Sequence, residues 1–432
     1  AASSGWGTAK LAAAIIALAL LLSKAQAAQN QALIKESVVT QQLAEHPANA
    51  LWEELSRRRA IYSVMVDDEY LDHDISALRQ YFSRRLGHRF VTTKSQDIPF
   101  ARQHIAPCQA NGSCAHMLDT TRPLNLVFII TESLSGVAIA KHPERVPNLR
   151  KLSQRGIYFD QFYANSLQTA NGLVVSLCSA YPNHGERFTR TGLADKLNCM
   201  SDILKAKGYQ TSFVTGSSVV FDNMKEFIGH HSYDSVFSWE NEPDREDAGS
   251  WGLHDEVMFD HVISTIQALP PKAPFFVTAL TVSMHPPFDI NGKAGDSLSL
   301  QERYLNALSY FDSQLGKLVE RFRELPQYRD TVFVVTGDHA IDWEGNMLDL
   351  FHAPIRKTTM AVPLFIFGEP VLPKSPIGDV VHKVGSQVDI APTILSQMGI
   401  DSVNGLWGND LFDPRYSGYA LYFNHYQNNF VG

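Results

Sequence analysis

The chain has 432 residues, enough for one large α/β domain with appendages. Its 44% hydrophobic and 19% charged residues are those of a globular protein and exclude a disordered chain. A formal net charge of −8, with no basic stripe to neutralise phosphates, excludes a nucleic-acid binder. The two short basic runs, Arg57-Arg58-Arg59 and Arg84-Arg85, read as solvated helix faces.

The N-terminus is apolar. Leu11 to Leu22 carries no charge and is flanked by Lys10 and by Ser23-Lys24. Two readings compete. One is a signal peptide, with Ala25-Gln26-Ala27 as a small-residue cleavage site. The other, which we favour, is a retained membrane anchor: the last span of a polytopic protein, extending back through Trp6. The chain does not begin with Met, so a further membrane region upstream is expected. Either reading sends residues 29–432 across a membrane. Residues 29–120 form a juxtamembrane helical linker or arm, of which 95–121, with Pro99, Pro107 and Gly112, reads as an arm that wraps the domain. The four cysteines contain no CxxC pair, which disfavours a zinc knuckle. Their even number fits bridges Cys108–Cys114 and Cys178–Cys199 in an oxidising compartment; other pairings and free buried thiols stay open.

From about residue 121 strands and helices alternate. Strands are expected at 124–130, 157–163, 210–215, 274–281, 331–336, 362–367 and 419–423. Helices are expected from Pro147 to Gly156, the latter as the residue after the C-cap, and at 169–178, 199–207, 221–228, 254–268 and 301–324. A last helix starts after Ser386 with Asp389 in its first turn. This order implies an α/β fold with a doubly wound, largely parallel sheet and helices on both faces. Such sheets collect chemistry outside the carboxyl ends of their strands.

The polar residues at those ends carry the functional reading. Glu132 follows strand 124–130. Asp338-His339 follows strand 331–336, with Gly337 allowing the backbone to turn. Thr169, in Gln168-Thr169-Ala170-Asn171-Gly172, opens a helix. Two carboxylates, an imidazole and a hydroxyl are ligands that a Zn²⁺- or Mn²⁺-like ion accepts. A hydroxyl at a helix N-terminus beside a cation is also an activated nucleophile. His285, in Met284-His285-Pro286-Pro287-Phe288, ends strand 274–281 and suits a hydrogen bond to a phosphoryl oxygen. His352 is a weaker candidate for the leaving group or a second ion. Asn171 and Asp222 complete the candidate substrate-binding set. Taken alone, Thr169 reads as an ordinary helix cap and Glu132 as a surface carboxylate.

Together the segments resemble the alkaline phosphatase/sulfatase superfamily, in the branch of lipoteichoic acid synthase-like phosphoglycerol transferases. The resemblance covers about residues 122–400. It rests on the shared order of Asn125–Glu132, Val146-Pro147-Asn148-Leu149 to Gly156, and Thr169-Ala170-Asn171-Gly172 to Cys178. It continues through His285-Pro286-Pro287-Phe288, Gly337-Asp338-His339 and Gly385-Ser386-Gln387-Val388-Asp389-Ile390-Ala391-Pro392-Thr393. It implies one Mn²⁺- or Zn²⁺-like ion (Mg²⁺ also fits) held by Glu132, Thr169, Asp338 and His339. It implies that Thr169 attacks the phosphorus of a phospholipid head group such as phosphatidylglycerol, through a phospho-threonine intermediate. An envelope glycan or polymer hydroxyl is then the acceptor, His285 steadies the phosphate, and the catalytic domain faces the periplasm. The Cys/Ser-x-Pro-x-Arg signature of type I sulfatases is absent from Cys178-Ser179-Ala180-Tyr181-Pro182, which disfavours sulfatase chemistry. The Trp and Arg that line the glycerol-phosphate pocket in lipoteichoic acid synthases are missing from 217–224. A phosphoethanolamine transferase or phosphodiesterase is therefore the alternative, and an inactive envelope assembly module the alternative of another class.

Overall fold

The computed structural model describes residues 102–104, 117–182, 187–190, 194–245, 248–290, 297–343, 347, 356–372, 379–423 and 428–431. All fall within one compact unit, Ile75–Gly432. The expected membrane helix, most of the expected linker, Cys108, Cys114 and His352 lie outside the described residues. Among the described residues no helix is long and apolar enough to cross a membrane.

The strands in chain order are β1 (Arg102–His104), β2 (Asn125–Thr131), β3 (Ile157–Phe159), β4 (Phe162–Tyr163), β5 (Gln210–Thr215), β6 (Ser235–Phe237) and β7 (Phe275–Leu280). They continue with β8 (Thr331–Gly337), β9 (Leu364–Phe367), β10 (Asp379–Val381), β11 (Gly385–Ser386), β12 (Ser402–Asn404), β13 (Ala420–Phe423) and β14 (Asn428–Val431). Eight of them form the main sheet in the order β10-β3-β9-β8-β2-β7-β5-β6. Only β9 runs antiparallel to its neighbours, β8 and β3. Leu126, Phe128 and Ile130 are as buried as Val127 and Ile129, so both faces of β2 are covered. That is why its sequence is a continuous apolar run rather than an alternation.

The helix Leu300–Arg323 starts at Ser299, whose hydroxyl accepts from Glu302 N while Glu302 reaches back to Ser299 N. Its buried stripe, Tyr304, Leu308, Phe311, Leu315, Leu318 and Phe322, packs with the helix Asp255–Ala268 over Val127, Val277 and Phe333. Asp312 interrupts that stripe for a structural reason. Its carboxylate accepts from Asn148 N at 2.9 Å and Leu149 N at 2.8 Å. It thus satisfies the first turn of the helix Pro147–Ser153, whose own N-cap, Val146, has no side chain to do so.

Three expectations change. The strand expected at 157–163 divides: β3 stays in the main sheet, while β4 leaves it to pair in parallel with β11. Gly156 is not a left-handed cap. It is small because a Cβ there would lie 2.6 Å from Ile366 O on β9. The domain also begins before residue 121, since β1 pairs antiparallel with β12 and Met117 N donates to Gln397 Oε1 at 2.7 Å. Cys178 and Cys199 are bridged, tying the end of the helix Thr169–Cys178 to the residue before the helix Met200–Ala206.

Candidate active site

Strands β2 and β8 are parallel neighbours with Thr131 opposite Gly337, so their carboxyl ends finish side by side. This register brings Glu132 next to Asp338 and His339 across more than two hundred residues of chain. The junction is tightly bonded. Asp338 N donates to Thr131 O at 3.0 Å, and Asp338 Oδ1 accepts from Ser133 N at 2.8 Å and His339 N at 2.7 Å. Ser133 holds the left-handed region at φ 53°, a strained turn placed where Glu132 must leave its strand. Its hydroxyl donates to Glu132 Oε1 at 2.7 Å.

Thr169 is the first residue of the helix Thr169–Cys178. Its Oγ1 donates to Glu132 Oε2 at 3.3 Å. The approach depends on Gly172, where a Cβ would stand 2.0 Å from Asp338 O. Gln387 locks the same junction from the other side: its Nε2 donates to Gly337 O and Asp338 O, both at 2.7 Å. Tyr304 Oη donates to Ser133 O at 2.9 Å. Neither positioning residue was singled out from sequence, although Gln387 lies in a quoted segment. Gly337 has no positive φ; it is small because a Cβ would lie 2.8 Å from Leu134 O.

The three titratable groups are fully buried and strongly coupled. Burial pushes Glu132 up, but the hydrogen bond and charge of His339 outweigh it and hold the carboxyl down to about 2. Burial and the Glu132 charge push Asp338 up to about 7. Burial pulls His339 down, but Asp338 and Glu132 overcome it and lift the imidazole to about 9. A buried cluster with two carboxyl groups thus draws positive charge onto its only available base. His339 Nε2 lies 3.4 Å from Glu132 Oε1 and 3.4 Å from Asp338 Oδ2.

The same atoms fit a divalent cation. One ligand-type atom from each of Glu132, Asp338 and His339 lies within 4.8 Å of the other two. Asp338 Oδ2 is buried and makes no close hydrogen bond, with His339 Nε2 3.4 Å away, and a cation at this point would give the oxygen a partner. His339 Nδ1 lies 3.0 Å from Ala340 O, an acceptor only. Nδ1 must therefore carry the proton in the neutral ring, which leaves Nε2 as the bare nitrogen facing the carboxylates. Two carboxylates, one imidazole and a hydroxyl make a donor set suited to zinc or manganese.

His285 stands beside this cluster, close enough for its charge to act on Glu132. Its Nδ1 donates to Pro286 O at 2.7 Å, so Nε2 donates to a phosphoryl oxygen only when the ring carries both protons. The ring is tilted over Trp251 at 3.9 Å. Trp251, His254, Ser283, His285 and Asp289 line a shallow recess that is partly open to solvent. His254 Nε2 is buried there without a hydrogen-bond partner. No local signal in the sequence marks His254 as functional.

Two other expected substrate-binding residues, Asn171 and Asp222, make bonds within the fold. Asn171 Nδ2 donates to Ser166 Oγ at 3.1 Å and Gln168 Oε1 at 3.2 Å, while its Oδ1 accepts from Phe188 N at 2.8 Å. Asp222 is buried, and its Oδ1 is shared by Arg187 and Arg190.

Known proteins resemble this chain at the matching level. Phosphoglycerol transferase I of Xanthomonas euvesicatoria pv. vesicatoria (strain 85-10) is 27% identical over 290 residues, which is 63% of this chain and 40% of the relative. Lipoteichoic acid synthase 2 of Bacillus subtilis (strain 168) is 26% identical over 320 residues, which is 68% of this chain and 48% of the relative. The chain spans under half the length of these curated relatives. The crystal structure of an alkaline phosphatase superfamily protein from Vibrio parahaemolyticus superposes with a TM-score of 0.67 at 24% identity, over 85% of this chain and 84% of that one. The fold is alkaline phosphatase-like. Residues 124–400, which contain all four expected metal ligands, match the Sulfatase family model, and the chain belongs to that family.

Proposed function

We propose that the protein is a metal-dependent phosphotransferase that moves phosphoglycerol from a phospholipid to a hydroxyl of an envelope glycan or polymer. The observation that carries this reading is the Thr169 hydroxyl, 3.3 Å from Glu132 Oε2 beside Asp338 and His339. The names of its relatives support the choice of phosphoglycerol. Glu132, Thr169, Asp338 and His339 would hold the ion, whose charge, when bound, favours the alkoxide form of the hydroxyl.

In the first half-reaction Thr169 Oγ1 forms a bond to phosphorus and the bond to the diacylglycerol oxygen breaks. The leaving alcohol takes up the proton that Thr169 has lost. Glu132, held far below neutrality, orients the hydroxyl rather than accepting its proton. His285 Nε2 would face a phosphoryl oxygen of the head group beside the cluster. In the second half-reaction an acceptor hydroxyl displaces Thr169 from phosphorus. The proposed donor is a membrane lipid and the proposed acceptor an envelope glycan or polymer, which together favour work on the extracytoplasmic side of a membrane.

Transfer of phosphoethanolamine is the second reading, favoured by the absence of Trp and Arg from 217–224. Mass spectrometry after exposure to lipid decides the chemistry: a phosphoryl adduct on Thr169 is expected, and none in Thr169→Ala. A Thr169→Ala protein that turns over like the parent would rule out both transfer readings and leave an inactive assembly module if the parent is also inert. Diacylglycerol release from phosphatidylglycerol against phosphatidylethanolamine separates the two head groups.

A further inference from the structure

The loop before the helix Met224–His230 is built in an expensive way. Asp222 and Asn223 are consecutive non-glycine residues in the left-handed region, at φ 52° and 61°. Several bonds hold them there. Arg187 and Arg190 grip Asp222 Oδ1, Thr189 Oγ1 donates to Asp222 O at 2.5 Å, and Asn223 Nδ2 donates to Thr189 O at 3.0 Å. The result turns two apolar side chains outward: Val220 is 70% exposed and Phe221 44%. Phe221 meets Trp251, itself 42% exposed, edge to face at 5.8 Å. Trp251 in turn lies against His285, so this apolar rim continues into the candidate active site.

Cations flank the rim. The Arg187 guanidinium sits 5.6 Å over the Phe221 ring, and Arg190 is half-exposed. Two guanidiniums thus share the single buried carboxylate of Asp222. On the other flank Glu240 accepts from Ser218 Oγ and Ser238 Oγ. An apolar edge with cations beside it, opening onto a phosphate-binding imidazole, complements an amphiphile with a hydrocarbon body and an anionic phosphate head.

We propose that Val220, Phe221 and Trp251 form a rim that dips into the interfacial layer of a bilayer containing anionic phospholipid, and so presents the donor head group to Thr169. The proposal rests on the lipid-donor reading above. Aromatic rings prefer this layer, and burial of Val220 and Phe221 there would hold the site against the membrane during a turnover.

The test uses the full chain in vesicles of phosphatidylglycerol and phosphatidylcholine, with monomeric dihexanoyl phosphatidylglycerol as a soluble comparison. Val220→Ser/Phe221→Ser alters exposed side chains. It is expected to slow diacylglycerol release from vesicles about tenfold and to leave release from the soluble lipid within about twofold of the parent. Equal losses on both lipids, or no loss on either, would overturn the proposal. A second readout is independent of turnover: quenching of Trp251 fluorescence by brominated acyl chains, taken as the difference between the parent and Trp251→Phe. Quenching that fades in the double serine variant supports the rim, and a Trp251 untouched by brominated lipid overturns it. A parent inert on both lipids but still quenched at Trp251 would strike the transfer reaction and leave the docking surface standing.

Discussion

His339 stands between two buried carboxyl groups and takes up a positive charge that water would not give it at neutral pH. A divalent cation at the same point makes that proton unnecessary, because both place positive charge against Glu132 and Asp338. The arrangement predicts that each ligand matters to the ion more than to the fold. His339→Ala and Glu132→Gln are expected to lower Zn²⁺ or Mn²⁺ affinity at least about ten- to a hundredfold, the loss that even supporting residues cause. Metal content after gel filtration checks this, and unchanged occupancy in either variant would contradict the ligand set. Glu132, Asp338, His339 and Thr169 were legible in sequence because each ends or begins an element whose apolar pattern is clear. The internal bonds of Asn171 and Asp222 were not visible there, because a polar residue looks the same in a sequence whether it faces a substrate or bonds inside the fold.

At the scale of elements, the site is the meeting of two strand ends with one helix start. Gly172 sets how closely they meet. A Cβ at that position would overlap the Asp338 carbonyl at 2.0 Å, a backbone atom that cannot rotate away. Gly172→Ala is therefore expected to cost about 1–3 kcal/mol of stability. A displacement of Thr169 by about 1 Å would also slow adduct formation by up to about a hundredfold. Thermal unfolding beside adduct kinetics measures both, and a variant with parental stability and rate would show that the helix has room to spare. The element pattern itself was read well where periodicity was strong: the helices Asp255–Ala268 and Leu300–Arg323 and the strands β5, β7 and β8 lie within a residue of their expected bounds. It failed at 157–163, where one apolar run serves two sheets, a division set by the partners β9 and β11 and not by the run.

Across the whole molecule, burial extends to carboxyl groups outside the proposed ligand set. Asp255, Asp312 and Asp410 are each raised above their ordinary value of 3.8, chiefly by burial. A raised folded value means that the folded state holds the proton more tightly than the unfolded chain. Their contribution is most favourable below 3.8 and declines as pH rises through the raised value. Asp255→Asn cannot ionise, yet it keeps an oxygen for Val282 N and Ser283 N, which Asp255 Oδ1 now serves at 3.1 Å each. Its urea midpoint should therefore fall less with rising pH than the parent's above about pH 4. Parallel pH profiles for variant and parent would show that Asp255 ionises as freely in the fold as outside it. Asp234 works in the opposite sense. Burial raises it, but Lys205 and Thr211 outweigh that and lower it, so its support is complete above 3.8 and is lost as pH falls below.

Local pattern alone was enough to indicate the class of the fold, the four candidate ligands and the family that the chain resembles. These are properties of local pattern: apolar periodicity, turn residues and the polar residue that follows a strand. Only the tertiary structure decided which strands are neighbours, that Gly172 and Gln387 fit the helix to the β8 end, that Asp222 belongs to two arginines, and that Phe221 and Trp251 meet at the rim of the site. Those outcomes depend on contacts between residues far apart in the chain, whose spacing carries no trace of the distance they will have in space.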